Sequence, residues 1–269
     1  MSFIFLRGGG DLASGVALRL FRSGLAPIIL EIPQPLCVRR LVSFAQAVYD
    51  GATVVEGVRA ERVTTPAEVQ AVLANNAIPV VVDPPGELRR ELPPLVWIDA
   101  RLMKRPPELG LDTAPLVIGL GPGFTAGVDC HAVVETNRGH NLGRVYWQGA
   151  AEPNTGLPES VGPYRAERVL RAPAEGEFHA LVELGAQVSA GQTLAEVAGQ
   201  PVIAPFDGVL RGLIHSGLWV RRGLKIGDVD PRNEPGYARQ VSDKAFSVGG
   251  GVLEAMLAQP PIRARLWDD

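Results

Sequence analysis

An apolar run, Phe3-Ile4-Phe5-Leu6, passes through Arg7 into three consecutive glycines, Gly8-Gly9-Gly10. An apolar strand that ends in glycines and continues as a helix is the unit that receives nucleotide phosphates in α/β folds. The helix is legible too. Residues 12, 13, 16, 17, 20 and 21 are apolar, the stripe of an amphipathic helix over 12–23, and Gly24 stands where a C-terminal cap belongs. Ile28-Ile29-Leu30 then reads as a second strand that ends at Glu31. Strand, helix and strand within 31 residues predict a βαβ unit and a parallel sheet.

Gly8-Gly9-Gly10-Asp11-Leu12-Ala13 fits the pattern G-x-G-x-x-G/A, with an acidic residue, Glu31, 21 positions past Gly10. Glycines let the backbone approach a pyrophosphate, and a helix N-terminus offers N–H groups and positive dipole. Glu31 is the expected acceptor for a ribose diol. Asp11 departs from the pattern by placing a carboxylate at the phosphate turn. It either caps the helix or disfavours a bare pyrophosphate and favours a metal or another group. A tight strand–helix turn without any ligand is the plain alternative.

The pattern continues less cleanly. A helix over 36–49 and a strand over 53–56 are expected, then a helix from the cap Thr65-Pro66-Ala67-Glu68 to about Asn75. Pro79–Asp83, Val96–Asp99 and Leu116–Ile118 read as buried strands whose ends lie where ligands bind in open α/β sheets. Asp83 is a ligand contact or a cap before Pro84-Pro85. Arg101 and Lys104, three apart after Asp99, clamp an anion or form a solvated basic face. A second glycine turn, Gly119-Leu120-Gly121-Pro122-Gly123, leads to Cys130-His131. Its N–H groups can form an anion nest, and a thiol beside such a nest and a His is a candidate nucleophile. A buried structural cysteine is the competing outcome. Arg138, in Glu135-Thr136-Asn137-Arg138-Gly139-His140, is a candidate anion contact. Cys130, His131 and Glu135 lack the spacing of a metal site, so no metal is expected.

Past residue 150 the texture changes. Pro153, Pro158 and Pro163 suggest a linker. Beyond it, Ala172-Pro173-Ala174-Glu175-Gly176 recurs as Ala204-Pro205-Phe206-Asp207-Gly208, an offset of 32 that matches eight of 26 positions between 172–197 and 204–229. A duplicated β half explains this, and the pattern resembles the biotinyl/lipoyl-like barrel-sandwich domain. Swinging-arm carriers place a lysine between the halves. Here that hairpin is Ala198-Gly199-Gln200-Pro201, so neither biotin nor lipoate is expected. The tail from Tyr237 to Leu257 reads as helix, interrupted at Gly249-Gly250-Gly251. Three segments follow: a Rossmann-like parallel-sheet domain over 1–150, an all-β barrel-sandwich domain over 165–235, and a C-terminal helix over 237–258 packing back on the first. The fold class is α/β with a smaller all-β domain.

Bulk properties narrow the partners. A net charge of −3 offers no broad basic field, so nucleic acid and anionic membranes are not expected ligands. Two cysteines, Cys37 and Cys130, exclude a disulfide framework and a CxxC zinc pair. The glycine-rich start reads as no signal peptide, and the apolar stretch Leu116–Val128 is broken by glycines and a proline. A cytoplasmic protein is expected.

Several longer segments share a pattern. They are Arg7-Gly8-Gly9-Gly10-Asp11-Leu12-Ala13-Ser14-Gly15, Pro115-Leu116-Val117-Ile118-Gly119-Leu120-Gly121-Pro122-Gly123-Phe124, Gly127-Val128-Asp129-Cys130-His131-Ala132, Glu135 to His140, Gly223 to Arg232, and Ser242-Asp243-Lys244 with Gly249 to Ala255. On these the chain resembles the YqeB-type accessory family of selenium-dependent molybdenum hydroxylase systems, similar in role to XdhC-like molybdenum cofactor accessory proteins. The resemblance implies a maturation role, molybdenum hydroxylase subunits as partners, and a Rossmann-like unit holding the nucleotide of a molybdopterin dinucleotide. It implies sulfur or selenium handling at Cys130. Two other readings stay open: an NAD-dependent oxidoreductase that uses the same turn and Glu31, and a non-catalytic scaffold docking hydroxylase subunits. Oligomeric state, including a homo-oligomer, is left open.

Overall fold

The computed structural model describes residues 2–154, 156, 161 and 163–267. The chain divides into two compact units. Unit 1 comprises Met1–Pro35, Phe44–Thr155 and Val241–Asp269, and unit 2 comprises Leu36–Ser43 and Gly156–Gln240. Each is built from non-contiguous segments. Pro158 of the expected linker lies outside the described residues.

In unit 1, β1 (Phe3–Arg7), α1 (Asp11–Arg22) and β2 (Ile28–Glu31) form the opening βαβ unit. The expected helix over 36–49 is absent as such. Residues 40–42 and 44–46 form two 3₁₀ turns, and only α2 (Ala47–Asp50) is α-helical. The segment divides between the two units, and Pro33 and Pro35 precede it, so no single apolar face is available to hold a helix. The unit continues through β3 (Ala52–Val55), β4 (Val58–Val63), β5 (Ile78–Val82), β6 (Pro94–Asp99), β7 (Leu116–Leu120), β8 (Thr125–Ala126), β9 (Ala132–Val134), β10 (Val145–Tyr146) and β11 (Gly149–Ala150), with α3 (Pro66–Ala74) between β4 and β5; β8 and β11 pair with each other, apart from the main sheet. Thr65 and Glu68 close a capping box on α3, the Glu68 backbone N–H donating to Thr65 Oγ1 at 3.2 Å.

Nine strands share one sheet in the order β10-β9-β7-β6-β1-β2-β5-β4-β3 among the described residues. All neighbours from β9 to β4 are parallel, and β10 and β3 pair antiparallel at the two edges. From β1 the chain first completes one side of the sheet with β2 to β5, then crosses to the other side with β6, β7, β9 and β10. The mixed, largely parallel sheet is consistent with a Rossmann-like domain. In open α/β sheets such a reversal of strand order is where ligands bind, beyond the carboxyl ends of the flanking strands, here β1 and β6.

One face of the sheet packs Phe5, Leu30, Trp97, Val117 and Phe124 into a core. The other carries α1 and α4 (Asp243–Ala258), which is followed by the short α5 (Pro260–Arg263). The expected interruption of the last helix does not occur. α4 runs through Gly249-Gly250-Gly251 because these positions serve close packing: a Cβ on Gly249 would lie 3.0 Å from the Gly15 carbonyl, and one on Gly251 would strike the Gly143 carbonyl. Gly15 is the matching position on α1, where a Cβ would sit 2.5 Å from that of Ala245. Arg19 adds a cation–π contact, 5.0 Å from the Phe246 ring centre.

Unit 2 contains β12 (Val169–Arg171), β13 (Gly176–Ala180), β14 (Gln187–Val188), β15 (Thr193–Val197), β16 (Gln200–Ile203), β17 (Gly208–Leu213), β18 (Trp219–Val220) and β19 (Lys225–Asp230). They form two four-stranded antiparallel sheets, β12-β19-β17-β14 and β16-β15-β13-β18. The offset of 32 carries the starts of β13, β14 and β15 onto those of β17, β18 and β19, and β12 has its counterpart in β16. Exchanging the halves by this rule converts the first sheet order into the second. The sequence repeat is therefore a structural duplication in which each half lends strands to both sheets. The turn between the halves, Ala198-Gly199, has both residues at positive φ, +49 and +74, the conformation of a two-residue hairpin.

Candidate functional site

The carboxyl ends of β1 and β6 are tied in register, with Arg7 opposite Asp99, and the Ala100 N–H donates to the Arg7 carbonyl at 2.9 Å. Gly8 follows at φ +100, a conformation strained for any side chain, and its Cβ position faces the Ala100 carbonyl at 3.5 Å. The glycine turn and the β6 loop thus meet at the strand-order reversal.

Gly9 is required by the protein itself. A Cβ there would fall 2.9 Å from the Ala45 nitrogen, whose N–H donates to the Gly9 carbonyl at 2.8 Å. The Ser14 hydroxyl, buried, donates to the same carbonyl at 3.1 Å and accepts from the Phe44 N–H at 2.8 Å. One flank of the turn is therefore occupied by residues 44–46. Gly10 holds the N-cap position, and Asp11 is the first helical residue rather than the cap. The N–H groups of the first turn of α1 have no partners within the helix, as at any helix start.

Glu31 does not reach outward to a ribose. Its carboxylate accepts the Gly9 N–H at 2.7 Å and the Ile32 N–H at 2.8 Å. Burial pushes its pKa above the usual carboxylate value, against the lowering by these two donors. This corrects the expectation that Glu31 is a waiting diol acceptor: it is a strut of the turn. Asp83 likewise caps, accepting from the N–H groups of Gly86, Glu87 and Leu88 at 2.8–3.0 Å.

The second glycine turn is filled. A Cβ at Gly119 would enter the Phe124 ring, one at Gly121 would meet the Thr136 hydroxyl, and one at Gly123 would lie 2.7 Å from the Arg105 nitrogen. The Gly121 N–H donates to the Val134 carbonyl at 2.9 Å, so it is not offered to an anion. Cys130 is fully buried in the core beside Phe124, Ala126 and Val133. Burial pushes its thiol up to about 12, the reverse of an activated nucleophile. His131 accepts the Val117 N–H on Nδ1 at 2.9 Å, and burial lowers its pKa. Its ring is held as a neutral acceptor. Cys130 and His131 are structural, a correction to the expected nucleophile pair.

Arg138 is bound to Asp243 in the first turn of α4, at 2.6 Å. It corrects to a link between the 135–140 loop and that helix. Glu135 is fully buried and accepts three backbone N–H groups, those of Thr136, Asn137 and Glu152, at 2.6–2.7 Å. It organises the loop and does not face a ligand. Among the described residues, no group of three His, Cys, Asp or Glu side chains could hold a metal ion, and no helix is long and apolar enough to cross a membrane.

A charged cluster sits where β1 and β6 end. Arg101 grips the buried Asp99 through Nε and a terminal nitrogen, at 2.9 and 2.6 Å. Arg7, itself 6% exposed, donates to the Pro84 carbonyl at 2.6 Å and to Glu108 at 3.1 Å. Its Nε is buried without a hydrogen-bond partner among the described residues. Glu108 also accepts from Arg101 at 2.8 Å and lies 3.6 Å from Arg105. Hydrogen bonding from Arg101 leads the causes that lower the Glu108 pKa to about 2. Sequence patterns single out Arg101 but not Arg7 or Glu108. The one available signal is a charged residue closing an otherwise apolar strand just before the glycines.

No family model matches the chain. It is 49% identical over 254 residues to the uncharacterized protein YqeB of Escherichia coli (strain K12), a match covering 94% of this chain. The chain spans about half the length of that relative, 47%. Among solved structures, an aspartoacylase family protein from Mesorhizobium loti matches at TM-score 0.23 and 14% identity, over 30% of this chain and 25% of its own. The apo ectoine utilization protein EutE (DoeB) from Ruegeria pomeroyi matches at TM-score 0.25 and 12% identity, over 85% and 86%. Scores this low carry no argument about fold or activity.

Proposed function

We propose that this chain is an accessory protein in the maturation of a selenium-dependent molybdenum hydroxylase, binding the nucleotide end of a molybdopterin dinucleotide in the β1–β6 crevice of unit 1. The observation that carries this reading is the strand-order reversal between β1 and β6, with Gly8–Gly10 leading into the N-terminus of α1 at that point. Similarity to YqeB over nearly the whole chain supports the family half of the reading.

The residues present fit a phosphate-bearing ligand. The first turn of α1 supplies N–H donors and positive dipole, and Arg7 at the end of β1 and Arg101 just after β6 supply guanidiniums. Gly8 leaves its face toward the Ala100 carbonyl without a side chain. A molybdopterin dinucleotide, when bound, would bring the molybdenum chemistry. This chain's residues bind and orient the nucleotide and keep water from one flank of the turn through residues 44–46. The proposal assigns no covalent step to Cys130, whose burial holds the thiol protonated.

Glu31 bears on the oxidoreductase alternative. A dinucleotide-binding carboxylate is directed at the ribose, whereas both oxygens of Glu31 already accept backbone N–H groups, those of Gly9 and Ile32. That disfavours NAD. For unit 2 we infer a barrel-sandwich hybrid, on the strength of the eight strands and two antiparallel sheets among its described residues and their exchange symmetry.

The test is mass spectrometry of small molecules carried by native protein from a molybdenum- and selenium-replete host. A pterin dinucleotide is expected. NAD(H) with substrate turnover would replace the reading by an oxidoreductase. Protein without ligand that still co-purifies with hydroxylase subunits would replace it by a docking scaffold.

A further inference from the structure

Three guanidiniums, those of Arg7, Arg101 and Arg105, converge on one carboxylate, Glu108. Their other carboxylate, Asp99, is buried and held by Arg101 through two nitrogens, so it is part of the wall. Glu108 differs. Its side chain is 51% exposed and it belongs to a loop, whereas the Arg7 side chain it touches is 7% exposed and fixed to β1. A half-exposed loop carboxylate therefore closes a buried cationic wall.

The loop itself is held under tension. Leu102 and Lys104 have φ of +54 and +60, a left-handed conformation unfavourable for a non-glycine residue. The loop also covers the second glycine turn, where Arg105 lies against Gly123. Glu108 ties this loop to Arg7 on β1 and to Arg101, so its release would free the loop from the end of β1. The buried, unpartnered Nε of Arg7 marks unused donor capacity behind the carboxylate.

The geometry points to an oxyanion subsite formed by Arg7 and Arg101, with Glu108 seated in it as a built-in stand-in that the phosphate of an incoming ligand displaces. This rests on the crevice being the ligand site, and it adds the groups that take the phosphate and the latch that guards them. Exchange of one anion for another keeps both arginines paired throughout, so the buried guanidinium of Arg7 is never left without a counter-charge. A phosphate offers more acceptor oxygens than a carboxylate and takes the fork of Arg101 in the same way. A latch closed about nine-tenths of the time weakens apparent affinity about tenfold.

The experiment is calorimetric titration of the full chain with inorganic pyrophosphate and, separately, with cytidine diphosphate. Glu108→Gln keeps the shape of the side chain and removes its charge. It is expected to bind pyrophosphate about tenfold more tightly than the unaltered protein, and adding Arg101→Gln should abolish that gain. Since Arg101 also holds Asp99, folding of that double variant is checked by circular dichroism. Arg105→Gln, at an exposed position, gives an independent arm in which the latch is weakened and affinity rises by a smaller factor. Pyrophosphate binding unchanged or weakened in Glu108→Gln overturns the inference. Cytidine diphosphate separates the two levels. Binding equal in both proteins leaves the crevice reading standing and removes the latch. Tighter pyrophosphate binding without any cytidine diphosphate binding keeps the latch and removes the nucleotide reading.

Discussion

Glu31 and Cys130 are each of the residue type their proposed chemistry needs, and in each case burial decides against it. Glu31 spends its carboxylate on the Gly9 and Ile32 N–H groups. Replacing it with Ala leaves a partly buried N–H unpaired, so Glu31→Ala should lower stability by about 1–3 kcal/mol in urea unfolding, and Glu31→Gln by less. Cys130 has its pKa raised from 9.0 to about 12 by burial. The unfolded thiol ionises first as pH rises, so the fold loses stability between about pH 9 and pH 12 and gains nothing from this group below that window. Native protein at pH 8 should resist alkylation at Cys130 and accept it after denaturation. Ready alkylation of the folded protein would contradict the burial. The residue type was readable from the chain, but the solvent around it was not, because burial is set by strands far away in sequence.

The helices illustrate the next scale. The stripe of α1 and the Thr65–Glu68 capping box are local patterns, and both elements lie within a residue or so of where periodicity and capping put them. Thr65→Ala should cost about 1 kcal/mol by thermal or urea unfolding. The glycines of α4 needed the partner helix to be understood. In isolation three glycines weaken a helix, yet two of these three lie where Cβ atoms would collide with neighbouring backbone. A direct comparison follows. Gly250 has nothing within 4 Å, so Gly250→Ala should stabilise by about 0.5–1 kcal/mol, while Gly249→Ala and Gly251→Ala should destabilise. Equal effects at all three positions would refute the packing account. The 36–49 segment shows the opposite failure. Its apolar spacing looks helical, but it is shared between two units and settles as 3₁₀ turns.

At the scale of the molecule, the first and last segments of the chain belong to the same unit. Cutting the chain after Gln240 therefore removes a structural wall of unit 1, stripping α1 of α4 and exposing Val248, Val252 and Met256's partners on the sheet. Such a truncation should abolish the cooperative unfolding of unit 1 as followed by circular dichroism. Unit 2 carries its own check. Gly176 and Gly208 occupy equivalent places in the duplicated halves, and a Cβ at either would collide with the residue 22 positions on, Ala198 or Asp230. Alanine at either position should destabilise unit 2 in urea unfolding.

The amino-acid order alone determined the βαβ opening, the parallel sheet, the capped α3 and the internal duplication. Each depends on periodicity, capping or repetition among near neighbours, and such signals survive in one dimension. The tertiary structure decided which groups at Gly8–Gly10 are already engaged, that Cys130 is interior and the His131 ring is tied to the Val117 N–H, and that Arg7 and Arg101 close on Glu108. Arg7 and Glu108 stand 101 positions apart and meet only because the strand order reverses between β1 and β6. Charge pairing follows distance in space, and no local pattern encodes it.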